Sequence, residues 1–299
     1  MAMRFADQAP ANKKLSRTFL IRVESVYSEL KSAEKRAMDA ILSSEEVSES
    51  STISTLSALA GCSDATLVRL SRKLGYSGFP DMKSSMFQTE RDDISYPNIR
   101  PDDGVNDTII KFFEIAKNSL VDTEKLLRPE QVQLAANLLA QANNIEFVGS
   151  GDAHLVAYSG YLKFLKAGYH AVCSSDFDLE LIYASKLTRG DTVVAVSHSG
   201  MTRTVCEVVK CAKKHRANII AITSHPISRL AKLADITILT PTFTENIYNE
   251  IISQRIPVLA VMEVLYLLAT SQTGANVRDA IQKANIELEI NKYLKSSGS

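Results

Sequence analysis

The sequence predicts an α/β protein in two parts. The first is an all-helical N-terminal region with a helix-turn-helix, and the second is a doubly wound domain on a five-stranded parallel sheet. Three observations carry that prediction. From Thr18 to about Gln88 the apolar residues recur only at helical spacing. Arg91 to Asp107 holds Pro97, Pro101 and Gly104 among several aspartates and shows no periodicity. From Ile145 onward, short apolar runs alternate with helical segments. A length of 299 residues suits two domains, and 45% hydrophobic with 23% charged residues supplies a packed core without global disorder.

In the N-terminal part, Leu20, Ile21, Val23, Val26, Tyr27 and Leu30 mark a first helix, preceded by an unpatterned polar arm up to Arg17. Ser32 is the expected cap of a second helix carrying Ala33, Ala37, Met38, Ile41 and Leu42 on one face. A short helix over Ile53–Ala60 is halted by Gly61, and another runs from Ser63 to Gly75. A further helix starts near Phe79-Pro80-Asp81, with proline in its first turn. The expected limits are a head over 18–90, a linker over 91–107 and a second domain over 108–299. That domain opens with a long helix from Thr108 and a shorter one after Pro129. Its strands are expected at Ile145–Val148, His170–Cys173, Thr192–Val196, Asn218–Thr223 and Ile236–Leu239, with crossover helices between them. An apolar helix around Pro257–Thr270 and a charged one close the chain.

Two constellations carry chemistry. Gly61 permits the tight turn, Ser57 is small enough for two helices to cross closely, and Ser63 caps the second helix, pinned by Leu67 and Leu70. Its outward face is read as Ser63, Asp64, Ala65 and Thr66, continuing to Arg69, Arg72 and Lys73. These types contact base edges or phosphates in a major groove. Asp64 suits a helix cap better than a base contact. The alternative is a plain helical hairpin for packing or dimerisation.

The second constellation is Ser197-His198-Ser199-Gly200-Met201-Thr202, between a strand and a helix. First-turn amides favour an anion, three hydroxyls add donors and Gly200 admits close backbone approach, so the stretch reads as a phosphate cradle without a lysine. A polar helix cap is the bland alternative. Gly149-Ser150-Gly151 follows the first strand similarly. It lacks the third glycine of a dinucleotide fingerprint and no acidic residue closes the next strand, so no nicotinamide cofactor is expected.

The order of these elements resembles the RpiR family of bacterial regulators, which join a helix-turn-helix to a SIS (sugar isomerase) domain. The resemblance rests on Gly61 to Phe79, Gly149-Ser150-Gly151, Lys163 to Gly168, Gly190-Asp191 and Ser197 to Thr202, and covers the chain from about residue 18. It implies a sugar-phosphate site in which Ser197, Ser199, Gly200 and Thr202 hold the phosphate, His198 lies within reach, and Ser150 and Gly151 line the same pocket. One position departs: Ala153 stands where the family's first loop has serine. SIS isomerases need a base, for which His154, His170, His198, Glu245 and Glu250 are candidates. Glu250, Ser253 and Arg255 are placed to line the pocket from above.

The expected function is therefore a DNA-binding regulator whose operator affinity answers to a phosphorylated sugar, and not an enzyme. The alternative is a phosphosugar isomerase with a helical appendage. Expected partners are a double-stranded DNA operator, the sugar phosphate and further copies of the chain, as dimer or tetramer. A net charge of zero excludes wholesale attraction to nucleic acid or acidic membranes but not a local basic face. Cys62, Cys173, Cys206 and Cys211 form no CxxC pair, and neither a disulfide framework nor a metal is expected. Met1–Asn12 lacks the apolar core of a signal peptide, and no segment reads as a membrane span, so a cytoplasmic location is expected.

Overall fold

The computed structural model of the chain describes residues 15–44, 46–87, 97, 99–241, 255–273 and 275–291. Residues 91–96 and 98 of the expected linker, and Glu245, Glu250 and Ser253, lie outside the described residues.

The head is five helices: α1 Arg17–Val26, α2 Ser32–Ser43, α3 Ile53–Leu59, α4 Asp64–Lys73 and α5 Phe79–Met86. One core holds them, with Phe19, Val23, Met38, Ile41, Leu56, Leu67, Leu70, Leu74 and Met82 all buried. Two helix starts differ from expectation. The polar arm is shorter, because Ser16 already caps α1 by accepting from the Phe19 amide. Lys31, not Ser32, is the cap position of α2. The Glu34 carboxylate reaches back to the Lys31 amide at 2.9 Å and satisfies a donor that a serine cap leaves open.

Helix α6 (Val105–Leu126) starts inside the stretch read as a linker, and α7 (Pro129–Ala140) begins, as expected, with proline. Five strands follow, β1 Ile145–Gly149, β2 Ala171–Cys173, β3 Thr192–Val196, β4 Asn218–Thr223 and β5 Ile236–Leu239. All pairs are parallel, in the order β2-β1-β3-β4-β5. The crossovers are α8 (Asp152–Lys166), α9 (Phe177–Ala184), α10 (Arg203–Lys214) and α11 (Arg229–Leu233). The apolar α12 (Arg255–Thr273) and α13 (Ala275–Glu287) close the described fold.

Alternate strand residues serve opposite faces. Ile145, Phe147, Val194, Val196, Ile220 and Ile222 share a core with residues of α7, α8 and α12. Val148, Val193, Ala195, Ile219 and Ala221 pack with residues of α10 and α11. Both faces are covered, which is why the strands read as apolar runs rather than as alternation. Helix α12 is long and apolar enough to cross a membrane by length and composition, which corrects the expectation that no segment is. In the fold it buries Val258, Val261, Met262, Leu265 and Ala269 and carries Glu263, which pairs with Lys163 of α8.

The chain leaves β1 toward β2 on one side, and from β3 runs to β4 and β5 on the other. The order therefore reverses between β1 and β3, where open parallel sheets place their ligands. Gly149 is in register with Val196, so the loops after both strands leave the sheet at the same level.

One strand residue breaks the apolar rule. Glu146, 1% exposed, has no hydrogen-bond partner for either carboxylate oxygen among the described residues. Burial and then the neighbouring Glu180 push it up to about 8, and burial and then Asp176 push Glu180 to about 7. A carboxyl held protonated by the fold gives its full stability below the ordinary value of 4.5 and loses it as pH rises toward 8. Glu146→Gln should therefore melt with the parent at pH 4.5 and above it at pH 8, by roughly 1–3 kcal/mol in chemical denaturation. Equal stabilities at both pH values would contradict this account.

Candidate functional site

The two loops at the switch point converge. A cavity of about 290 Å³ is lined by Ser150 of the first loop, by Asp152 and Ala153 at the start of α8, and by Ser197, His198, Ser199 and Thr202 from the second loop. Arg255 and Val258 of α12, Thr240 after β5, and the apolar Val156, Val196 and Ile222 line the rest. Gly151 and Gly200 are backbone elements of the same two loops. Gly149 is required for the first, since a Cβ there would meet Ala153 O at 2.6 Å and His154 N at 2.8 Å. Gly200 is required for the second. At φ +62°, its Cβ would lie 2.1 Å from Ser228 Oγ.

The decisive feature is how the helices begin. α9 and α11, which follow β2 and β4, are capped by Asp176 and Ser228, each accepting from an amide of the first turn. α8 and α10, which follow β1 and β3 and flank the cavity, have no side-chain cap. The cap residue of α10, Thr202, instead bonds through its hydroxyl to Ser197 Oγ at 3.0 Å. A helix start leaves several amides without intrahelical partners, and with its dipole it attracts an anion. The two open helix starts thus stand at the switch point, with the hydroxyls of Ser150, Ser197, Ser199 and Thr202 around them.

The cationic side chain at the cavity is Arg255, 3.6 Å from Asp152. His198 adds no charge at neutral pH, because burial and then the adjacent His225 push it down to about 4. Its ring Nδ1 lies 2.8 Å from Ser224 Oγ. Among the other histidines weighed as bases, His154 is half-buried with Nδ1 at 3.9 Å from Cys173 Sγ, and His170 is exposed; neither lines the cavity. The four cysteines are free.

In the head, α3, Gly61 at φ +56° and α4 form the helix-turn-helix. Ser63 caps α4, accepting from the Thr66 amide at 3.3 Å. Asp64 is not that cap. It sits at the first helical position and accepts from Ser54 Oγ at 3.2 Å and from Ser57 Oγ, tying α3 to α4. The outward face corrects at Thr66, which is 8% exposed with Oγ1 turned to Ser63 Oγ at 3.0 Å. Ser63, Asp64, Ala65, Arg69 and Arg72 are exposed and Lys73 half-buried.

Two residues that the sequence reading missed set this helix in place. Glu34 of α2 is fully buried and pairs with Arg69 at 3.0 Å and Lys73 at 2.6 Å. Burial alone would raise its pKa, but hydrogen bonds from Lys73, the Lys31 amide and Arg69 outweigh that and hold it below its ordinary value. Arg22, 4% exposed, donates from Nη1 to Leu74 O and Gly75 O at 3.1 Å each, clamping the end of α4. A charge inside the apolar stretch Leu20-Ile21-Arg22-Val23 was the available signal.

A small helical head with an exposed second helix, joined to an α/β domain open at its switch point, is the make-up of a helix-turn-helix transcriptional regulator. The helix-turn-helix domain of the rpiR family matches residues 18–91 and the SIS domain matches residues 138–268. HexR, a helix-turn-helix transcriptional regulator of Escherichia coli, is 31% identical over 280 residues, covering 92% of this chain and 96% of its own. Escherichia coli RpiR is 27% identical over 86% of this chain and 85% of its own. The fold is shared with the Vibrio vulnificus NanR protein solved with ManNAc-6P, at a TM-score of 0.59 and 22% identity, over 92% of this chain and all of that one. The chain belongs to the rpiR family of helix-turn-helix transcriptional regulators.

Gly200→Ala should lower stability by roughly 2–4 kcal/mol in urea denaturation, because the added methyl meets Ser228 on a left-handed backbone. Gly61→Ala, also at positive φ but with nothing within 4 Å, is the comparison and should cost about 1 kcal/mol. Equal costs at the two positions would contradict the packing described.

Proposed function

We propose that this regulator reads duplex DNA with α4 and changes its operator affinity when a phosphorylated sugar occupies the cavity between β1 and β3. The observation that carries the reading is the pair of uncapped helix starts at the switch point, whereas the β2–α9 and β4–α11 junctions are capped. The phosphate is assigned to Ser197, Ser199, Gly200 and Thr202 with the first-turn amides of α10. Ser150 and Gly151 face it from the first loop, and His198 meets the ligand as a neutral hydrogen-bonding ring. Ala153 offers no hydroxyl, and Asp152, Thr240 and Arg255 are the further polar residues of the cavity assigned to the sugar. NanR, with the same fold, is a complex with a sugar phosphate, which supports this class of effector.

DNA contact is assigned to Ser63, Asp64, Arg69, Arg72 and Lys73, with Thr66 supporting the turn from inside. The head is assigned to residues 18–90, the linker to 91–107 and the effector domain to 108–299. The protein acts as a homo-oligomer in the cytoplasm. Leu155, Tyr158, Leu162 and Leu165 form an exposed apolar stripe on α8, and Leu179, Ile182 and Tyr183 another on α9, a face suited to a second copy. The isomerase reading has less support, because relatives matched over 85% or more of their length are named regulators.

A thermal-shift screen against phosphorylated sugars and amino sugars should find a ligand that raises the melting temperature. Ser197→Ala/Thr202→Val should weaken that ligand by at least about tenfold while leaving operator binding intact. Arg72→Ala should weaken DNA uniformly across sequences and lower the slope of log affinity against log salt by about one. Sequence-indifferent DNA binding, or an unchanged ligand shift in the double variant, would contradict the assignment.

A further inference from the structure

The loop that forms the anion cradle is fastened by its carbonyls to one neighbouring segment. His198 O accepts from the Ser224 amide at 3.0 Å, from Thr223 Oγ1 at 3.0 Å and from His225 Nδ1 at 3.1 Å. Gly200 O accepts from the Leu230 amide at 2.9 Å, and Gly200 itself lies against Ser228. The β4–α11 connection, residues 224–228, is therefore the other wall of the cradle.

The far side of that connection touches the head. Ile227 packs against the head core, and Pro226 Cβ lies 3.9 Å from where a Cβ on Gly75 would stand. Gly75 follows Leu74, the C-cap of α4, and Arg22 clamps both carbonyls. Arg128, at the start of α7, stands over the Tyr76 ring at 5.9 Å and pairs with Asp81 at 3.5 Å, adding a second tie between the two parts. Beside these contacts a cleft of about 280 Å³, walled by Arg22, Gly75, Arg128, Pro226 and Leu239, separates head from effector domain. Helix α1 also touches α6, and Leu239 stands beside Gly75, so the cleft interrupts the contact between the two parts without severing it.

We propose that residues 224–228 are the coupling element that carries occupancy of the anion cradle to the end of the recognition helix. The inference rests on the reading of Ser197–Thr202 as an anion site. A ligand drawing on that loop shifts the carbonyls of His198 and Gly200, and four hydrogen bonds pass the shift to 223–230. Pro226 delivers it to Gly75 and Ile227 to the head core, so the recognition helix is reseated without any contact to the ligand. The coupling is reciprocal: operator DNA alters effector affinity by the same factor as effector alters DNA affinity.

The test is hydrogen–deuterium exchange on the full chain, with inorganic phosphate as the probe and Thr223→Val as a ligand-free perturbation of the cradle. Thr223→Val removes the bond to His198 O and the acceptor of the His225 amide, so it loosens the junction of the cradle with 224–228, and it should speed exchange of the Leu70–Tyr76 amides about fivefold. Phosphate should change exchange at Ser197–Thr202 and at Leu70–Tyr76 together. In the Ile227→Ala background both effects should persist at the cradle and vanish at Leu70–Tyr76, and Ile227→Val should restore them. Exchange at Leu70–Tyr76 that ignores Thr223→Val, or responds equally in the Ile227→Ala background, would overturn the relay. Phosphate that leaves Ser197–Thr202 unchanged would instead count against the anion site, with the Thr223→Val arm still deciding the coupling.

Discussion

The structure depends on an exchange of hydrogen-bond partners at the β3–α10 junction. Thr202, placed to cap α10, spends its hydroxyl on Ser197, and the carbonyls of His198 and Gly200 are taken by the segment after β4. The amides at the start of α10 are left for whatever enters the cavity. Orphan donors at a helix start are a cost unless water or a ligand meets them, and two such starts flanking one cavity are the ground of the proposed anion site. The parallel sheet supplies the setting. Register between Gly149 and Val196 brings both open junctions to one height, and the reversal of strand order between β1 and β3 leaves the crevice between them.

The head solves a different electrostatic problem. The proposed reading of DNA by α4 needs cations on its exposed face, yet the chain is neutral overall. The buried carboxylate of Glu34 holds Arg69 and Lys73 at fixed positions before DNA arrives, at the expense of part of their charge, and leaves Arg72 clear of it. Asp64 accepts from the hydroxyls of Ser54 and Ser57 and braces α3 against α4. Arg22 fixes the other end of the helix. The reading helix is thus held at its start, middle and end by polar contacts, and by Leu67 and Leu70 beneath.

Most of the fold was legible in the sequence because its signals are local. Each of the five strands was placed to within a residue at either end, since a run such as Thr192–Val196 is apolar on both faces and bounded by turn residues. The glycines of both loops announced the sharp turns that the structure requires of Gly149 and Gly200. What the sequence hid is long-range. Glu34 lies 35 residues from Arg69 and reads as one more charge on an amphipathic helix. Thr66 reads as one more hydroxyl of the first turn, but it stands one turn before Leu70 on the flank of the buried face, where its Oγ1 meets Ser63 Oγ. The partnership of His198 with Ser224 and His225 spans 26 and 27 residues and depends on two strands lying side by side. Glu146 is concealed by the opposite problem: a lone acid in an apolar run gives no hint that nothing will pair with it.

The central claim is that the α10 start and its hydroxyls are the anion-binding element. A crystal structure of the chain with a phosphorylated sugar that raises its melting temperature tests this most directly. The account predicts phosphate density at the first-turn amides of α10, within hydrogen-bonding distance of Ser197, Ser199 or Thr202. Density for the phosphate anywhere else, with that helix start still empty, would contradict it.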